Sequence, residues 1–522
     1  MFNRRKKKVT QKIRSARGVM KAEGFNFDQI KRYFNGKTHD CDQIVSEQTV
    51  NDLDLDLLFS YIDRTKSKVG QQYLYKRLRC LEFNNQQFDR QERIISYFRK
   101  NDEERVAIQY DLVKLSHPNS YYIADFFQHE IGPKPKWFFI FPLITFSVVL
   151  SIILSFFVPA FGYLLLGLIP INVILHYGLK RKTTRFISRV PILLSLGGVA
   201  KKLFEHETIR AEFEFLKKPL ATFAKIKRKM SFFKLEQKVD SDAEMAFWFI
   251  LEFIKITFLL EPLLLFSSVD NLRDKSKDIQ HVFEFVGEID SALSIEDLRS
   301  STETCIPTII DHSESIIFND LKHPLIPGCV PNDLNSENCV LITGSNMSGK
   351  TTYIRSAGIS YITGHALNTS FSKSAQISNR KIHTLIRIED DVMDSSSFFF
   401  QEIKGMKGII ESAQEHHSFV LLDELFKGTN TVERIAAGKS VLSYLSKNNA
   451  KVLVSTHDHE LCDLLSDEYE LYHFSEHIED NEVKFSYQLK YGKLLEGNAI
   501  NILEINDFPK EIISEAKRLA KK

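Results

Sequence analysis

Apolar and polar positions along this chain fall into three regimes. From Asp40 to about Gln128, apolar residues recur at helical spacing, as in "LLFSYIDRTKSKVGQQYLYKRLRCL", which predicts packed helices. From Trp137 to Gly178 the polar pattern stops, and "WFFIFPLITFSVVLSIILSFFVPAFGYLLLGLIPINVILHYG" contains no Asp, Glu, Lys or Arg. From about Asn319 onward, short apolar runs ("CVLITG", "SFVLLDE", "KVLVSTH") are bounded by loop or helix signals. Runs of that length predict buried parallel strands alternating with helices. The end, "FPKEIISEAKRLAKK", reads as a charged amphipathic helix.

The uncharged run sets the architecture. A helix needs about twenty apolar residues to cross a bilayer, and the run holds two such lengths, with Val158-Pro159 as the turn between them. A helical hairpin over roughly 137–157 and 160–178 is the expectation. Lys134 and Lys136 precede it, and Lys180, Arg181, Lys182 and Arg185 follow it, which puts both flanks in the cytoplasm. A buried helical pair in a large soluble core is the competing reading, but so long a pair ordinarily shows a polar face. A further apolar stretch, Phe247–Phe266, carries Glu252, Lys255 and Glu261. Charges at mid-span are expensive in lipid, so a buried or interfacial helix is expected there.

Composition adds bounds. With 522 residues, 43% of them hydrophobic, the chain can build more than one core. A net charge of +2 says little about partners, but its distribution says more. Arg4–Lys21, "RRKKKVTQKIRSARGVMK", has cations and no acid, as befits a solvated tail or a polybasic arm for nucleic acid or anionic lipid. The clusters Lys180–Lys182 and Lys225–Lys229 read as phosphate or headgroup contacts, or as plain solvated surface. Six scattered cysteines form no CxxC pair, which argues for a reducing compartment without disulfides or zinc. No apolar segment follows the basic N-terminus closely enough for a cleaved signal peptide.

The chemistry lies in the last third. Gly344, Gly349, Lys350 and Thr351 fit G-x-x-x-x-G-K-[ST], between a strand and a helix-like "TTYIRSAGISYI". In such a loop the glycines let the backbone wrap, so the amides of Ser345, Asn346, Met347, Ser348 and Gly349 face phosphate oxygens, with Thr352 continuing into the helix. Lys350 supplies positive charge to the β- and γ-phosphates, and the Thr351 hydroxyl ligates Mg²⁺. Asp423 and Glu424 close an apolar strand, the first placed to hold the Mg²⁺ shell and the second to orient the attacking water. His457 follows another strand, where a histidine senses the γ-phosphate. The expected ligands are therefore ATP and Mg²⁺.

These segments, in this order, resemble the MutS family of DNA mismatch repair ATPases, relatives of the ABC ATPases. "VPNDLNSENCVLITGSNMSGKTTYIRSAG", "SFVLLDELFKGTNTVERIAAGKSVLSYL" and "STHDHEL" carry the likeness, with "INDFPKEIISEAKRLA" at the end. Upstream, "LFSYIDRTKSKVGQQYLYKRLRCL", "DRQERIISYF" and "EFVGEIDSALSIEDLR" are similar to that family's core and lever helices. The resemblance implies ATPase domains that pair in a dimer, here a homodimer, each site completed by a serine loop of the partner. In "MDSSSFFFQEIKGM" the candidates are Ser396 and Ser397. The family's adenine-stacking aromatic falls on Cys329, leaving Val330 to pack on the base. The mismatch-reading and clamp domains have no counterpart. The implied fold class is mixed: an α-helical core and lever domain with a transmembrane helical hairpin, then an α/β P-loop ATPase domain of ABC type. The expected boundaries are 1–39 (basic arm), 40–130 (first core helices), 131–182 (hairpin), 183–305 (second core and lever helices) and 306–522 (ATPase). The implied function is DNA handling by a membrane-held ATPase with its termini and ATPase domain in the cytoplasm. An ABC-type transport or remodelling ATPase is the alternative, though the chain has no LSGGQ text.

Overall fold

The structure, a computed structural model, describes residues 2–22, 24–36, 40–83, 85–128, 136–187, 189–230, 242–260, 262–263, 273–311, 315–387, 398–479, 482–494, 503–504 and 508–519. The chain forms two units. One comprises residues 1–39, 63–76 and 89–298, the other 40–62, 77–88 and 299–522. Residues 40–62 and 77–88, expected among the core helices, are grouped with the α/β part.

The first unit is helical. Its axis is the helix Ser276–Ser301, buried along most of its length. That burial includes acids, and "DRTKS" (Asp63–Ser67) supplies their partners. Asp290 accepts from the backbone N–H groups of Lys66 (2.9 Å) and Ser67 (2.7 Å) and from the Ser67 hydroxyl (2.6 Å). Asp297 faces Arg105 at 3.1 Å and Lys66 at 3.6 Å. Gly70 is required for this contact, because a Cβ there would lie 2.2 Å from the Asp290 carboxylate. Burial pushes the Asp290 carboxyl above its ordinary value. Asp290→Ala would strand the two buried donors of Ser67, each costing about 1–3 kcal/mol, and the half-buried Lys66 N–H. A clear fall in the unfolding temperature of this unit is the expected outcome, read by circular dichroism. An unchanged melting curve would refute the role given to this carboxylate.

The basic N-terminal arm is neither a solvated tail nor a wholly free cationic arm. Phe2–Ser15 is a helix whose Ile13 is buried. Arg14 pairs with Glu103 (2.5 Å), Arg17 with Asp102 (3.2 Å) and Glu296 (2.9 Å), and Lys21 with Asp63 (2.7 Å). The acids that neutralise it lie far away in sequence, so the composition of the arm alone misrepresents its surroundings.

In the uncharged run, Ile140–Ser155 and Phe161–Ile187 are helices. Trp137–Ser155 and Phe161–Gly178 are long and apolar enough to cross a membrane by length and composition. Only 17% and 11% of these windows are buried. A soluble core helix of that composition would be covered, whereas here Phe146, Leu166 and Ile174 are exposed. The third apolar stretch contains the helix Asp242–Thr257, with Phe249, Ile250 and Phe253 exposed and Glu252 and Lys255 buried. Glu261 lies outside the described residues.

The second unit holds a six-stranded sheet. The strand Cys339–Thr343 lies between Ala450–Ser455 and Tyr469–Glu479 and is parallel to both. Ser418–Asp423 and then Lys381–Leu385 extend it in parallel, and Glu482–Tyr491 closes the other edge antiparallel. The three apolar runs read as buried parallel strands are thus adjacent, and Leu341, Val420, Leu422, Val452 and Val454 share one core. A separate mixed sheet has four strands, Thr308–Ile310, Ser374–Ser378, Ile316–Leu321 and Asn332–Ser336, in that order.

One expectation about the cysteines is corrected. Cys41 and Cys80 are bridged, 39 residues apart in sequence. Antiparallel pairing of Ile44 with Cys80 brings the segments together, which spacing rules cannot see. The argument for a reducing compartment loses its ground accordingly.

Candidate functional site

Parallel pairing aligns the carboxyl ends of three strands, and the loops that leave them converge. The loop after Thr343 runs from Gly344 to Gly349 and opens the helix Lys350–Leu367. It needs left-handed backbone at Gly344 (φ 145°), Met347 (φ 69°) and Gly349 (φ 109°). At Gly344 there is also no room for a side chain, since a Cβ would lie 2.7 Å from the Phe474 carbonyl. The result is a concave backbone turn at a helix N-terminus, a geometry that favours anions.

Lys350 points back into this turn. Its Nζ donates to the carbonyls of Gly344 (2.8 Å) and Ser345 (2.9 Å) and stands 3.4 Å from His457 Nε2. Burial pushes its pKa down, and Glu424 and Asp423 act against that. Thr351 Oγ1 donates to Asp423 Oδ2 at 2.7 Å. The register that pairs Ser455 with Asp423 sets the Ser455 hydroxyl on the other Asp423 oxygen.

Glu424 lies just past the strand end in left-handed backbone (φ 53°), its N–H donating to the Ser455 carbonyl at 3.0 Å. Phe426 repeats the conformation (φ 58°), and its N–H donates to buried Glu402. The turn directs the Glu424 carboxylate at His457 Nε2 (2.6 Å) and Lys427 Nζ (2.8 Å). The hydrogen bond from His457 holds that carboxyl down to about 2 from an ordinary 4.5, with Lys427 adding to it against the opposing effect of burial. With the folded value below the unfolded one, the stabilisation is complete above pH 4.5 and is lost as pH falls through about 2. Following the Glu424 carboxyl of the full chain by carbon NMR should therefore show no titration between pH 5 and 8. A midpoint in that interval would contradict the assigned pairing.

Part of this arrangement borders a cavity of about 490 Å³. Ser345, Asn346, Met347, Ser348, Gly349, Lys350, Thr351 and Thr352 line it, as do Glu424 and Val330. Gly344 supports the loop from behind, and Asp423 and His457 join it through Thr351 and Glu424. Ser396 and Ser397 lie outside the described residues. Four contributors were not visible in the sequence. Ser345 donates to Glu476 at 2.6 Å, Tyr487 lines the cavity beside Gly349, Lys427 reaches Glu424, and Ser455 holds Asp423. Glu476 and Tyr487 come from the last two strands, more than a hundred residues away, and no local motif announces them. Ser455 sits two residues before His457, so its position on the same strand end was the available signal.

The donor set suits a small hard cation. Thr351 and Asp423 present a hydroxyl and a carboxylate side by side, and Mg²⁺ takes few protein oxygens while keeping waters and phosphates.

Comparison with known proteins gives a consistent result. Residues 340–522 match the family model described as MutS domain V. A "DNA mismatch repair protein MutS" of Oceanobacillus iheyensis is 28% identical over 302 residues, 55% of this chain and 34% of that protein. The protein of the same name from Listeria monocytogenes is 30% identical over 269 residues, covering 49% of this chain and 31% of its own length. That of Aquifex pyrophilus is 32% identical over 247 residues, covering 45% and 29%. The chain thus spans about a third of the length of these curated relatives.

Proposed function

We propose that this chain, a member of the MutS family through its C-terminal region, is a membrane-held, Mg²⁺-dependent ATPase that handles DNA. The observation that carries the reading is the convergence of Lys350, Thr351 and Glu424 on one cavity beside a glycine-shaped turn, with Asp423 bonded to Thr351 and His457 to Glu424. Loop amides and Lys350 bind and orient the β- and γ-phosphates. Thr351 and Asp423 hold Mg²⁺, which when bound neutralises charge on the phosphate oxygens. Glu424 orients the attacking water. Its carboxylate, held by His457 and Lys427, is a charged acceptor that can align that water. Each of its oxygens accepts one bond, from His457 or from Lys427, and a carboxylate oxygen can accept a second from a water. The apolar part of the cavity lining, Ile326, Pro327 and Val330 together with the Tyr487 ring, is suited to a base.

DNA enters through the relatives, each named a DNA mismatch repair protein. Contact through phosphates is the expected mode, with strong salt dependence. Closure of a homodimer by ATP, with Ser396 or Ser397 acting on the partner's site, rests on the family likeness. Membrane attachment is supported by the two exposed apolar helices, and the cations that flank them, Lys134, Lys136 and Lys180–Lys182, are the ground for placing both ends of the chain and the ATPase on the cytoplasmic face.

The test is ATP turnover of the full chain in detergent or lipid, with and without duplex and branched DNA, against Lys350→Ala. That variant should lose nucleotide binding by about a hundredfold or more, the buried ammonium being the main charge facing the phosphates. DNA should raise wild-type turnover in a salt-sensitive way. ATP binding unchanged in Lys350→Ala would refute the nucleotide assignment. Absence of both stimulation and salt-sensitive binding would refute the DNA assignment.

A further inference from the structure

The helix Asp242–Thr257 is built inside out. Phe249, Ile250 and Phe253 are 61%, 59% and 58% exposed, while Glu252 and Lys255 are 8% and 1% exposed. Water would favour the opposite arrangement. Glu252 faces His176 at 3.8 Å and Lys255 at 3.4 Å, so the charges turn toward the second hairpin helix. The helix then breaks: Leu259 takes a left-handed conformation (φ 47°), and Leu260, Pro262 and Leu263 beyond it are again helical.

A helix end leaves carbonyls without partners, and in hydrocarbon that is costly. Here two of them are satisfied by the hairpin. Asn172 Nδ2 donates to the Thr257 carbonyl at 2.7 Å, and Thr145 Oγ1 donates to the Phe258 carbonyl at 2.9 Å. Asn172 is fully buried. Neither residue lies at a membrane end of its helix. Thr145 is eight residues in from Trp137, and Asn172 is six residues in from Gly178. At 1.5 Å per residue these are depths of about 12 Å and about 9 Å, in a core about 30 Å thick.

The chain must also come back. The helix Ser276–Ser301 buries Asp290 against Ser67, in the same unit as the helices that precede the hairpin. A helix of 16 residues is about 24 Å long and does not reach across on its own.

We propose that Asp242–Thr257 is a re-entrant helix. It dips into the bilayer beside the hairpin, ends about a third of the way down on Asn172 and Thr145, and returns to the face it came from. On its exposed face Phe253 and Ile254 meet lipid acyl chains, and Phe249 and Ile250, eight and seven residues before the helix end, lie at the membrane interface. His176 lies two residues from Gly178 and Glu252 five residues above Thr257, which brings these charges near the interface, where they cost least. The inference rests on the hairpin being in the membrane and adds a third, incomplete insertion.

The test uses full-length protein in sealed proteoliposomes. Cysteine is placed singly by Phe253→Cys, Leu260→Cys or Phe156→Cys, and labelling by a membrane-impermeant maleimide is read by peptide mass spectrometry, so native thiols do not interfere. Phe156, between the hairpin helices, reports the far side. Phe253→Cys should label about tenfold more slowly in the bilayer than after solubilisation in a denaturant. Leu260→Cys should resist reagent trapped on the far side, and Phe156→Cys should react with it. Rapid labelling of Phe253→Cys in intact vesicles, with Phe156→Cys still on the far side, would overturn the re-entrant helix and leave the hairpin standing; it would point to water or a protein partner on that face. Labelling of Leu260→Cys from the far side would mean a full crossing and would equally overturn it. Phe156→Cys labelled from the near side would overturn the hairpin and this inference together. Asn172→Leu should expose Phe253→Cys, whereas Asn172→Gln, which keeps the amide, should not; equal protection in both would refute the capping role.

Discussion

Glu424→Gln should bind ATP about as tightly as the native chain while turnover falls by about a hundredfold or more. The substitution keeps the shape of the side chain and removes its charge. It leaves Lys350, Thr351 and Asp423 in place, so the binding half of the site is untouched. What is lost is the acceptor that aligns water, together with the ion pairs to His457 and Lys427. Nucleotide retention on a filter and single-turnover hydrolysis separate the two effects. Retained ATP with slow hydrolysis is the expected pair of readings. Turnover equal to that of the native chain would show that Glu424 is not the water-orienting group.

The second large effect concerns Phe146, on the exposed side of the first hairpin helix near its middle. Phe146→Lys puts a cation where the bilayer centre would be. Insertion there is penalised by about 2.5–3.5 kcal/mol, enough to shift the inserted fraction by about a hundredfold. The variant should be depleted from alkaline-washed membranes, while the native chain resists that wash. In water the same exposed position would take a lysine with no penalty. A native chain that stays in the soluble fraction, with Phe146→Lys behaving alike, would therefore refute membrane attachment.

The local chemistry was readable before the fold because each feature depends on neighbours in the chain. The turn from Gly344 to Gly349 is written in its glycines, and Lys350 and Thr351 follow because a helix starts there. The three apolar runs specify buried strands by length alone. The hairpin is a matter of composition over forty-two residues, Trp137 to Gly178, and no partner is needed to see it. The arm at Arg14–Lys21 misled because its cations meet acids at positions 63, 102, 103 and 296, which no window of sequence contains. The Cys41–Cys80 bridge was hidden for the same reason.

Element types, the glycine turn, the acid pair at a strand end and the uncharged hairpin were legible in the residues alone, since propensity, spacing and hydropathy act over a few residues. Packing between distant segments set which strand ends lie together, and so that Asp423 meets Thr351 and Ser455, that Glu424 meets His457, that Tyr487 borders the cavity and that Glu476 accepts from Ser345 of its loop. It also decided which way the Asp242–Thr257 helix faces, because Glu252 and Lys255 read as a penalty in lipid until His176, Asn172 and Thr145 stand beside that helix. Side-chain partners set the cost of a buried charge or carbonyl, and those partners are chosen by packing between segments distant in the chain.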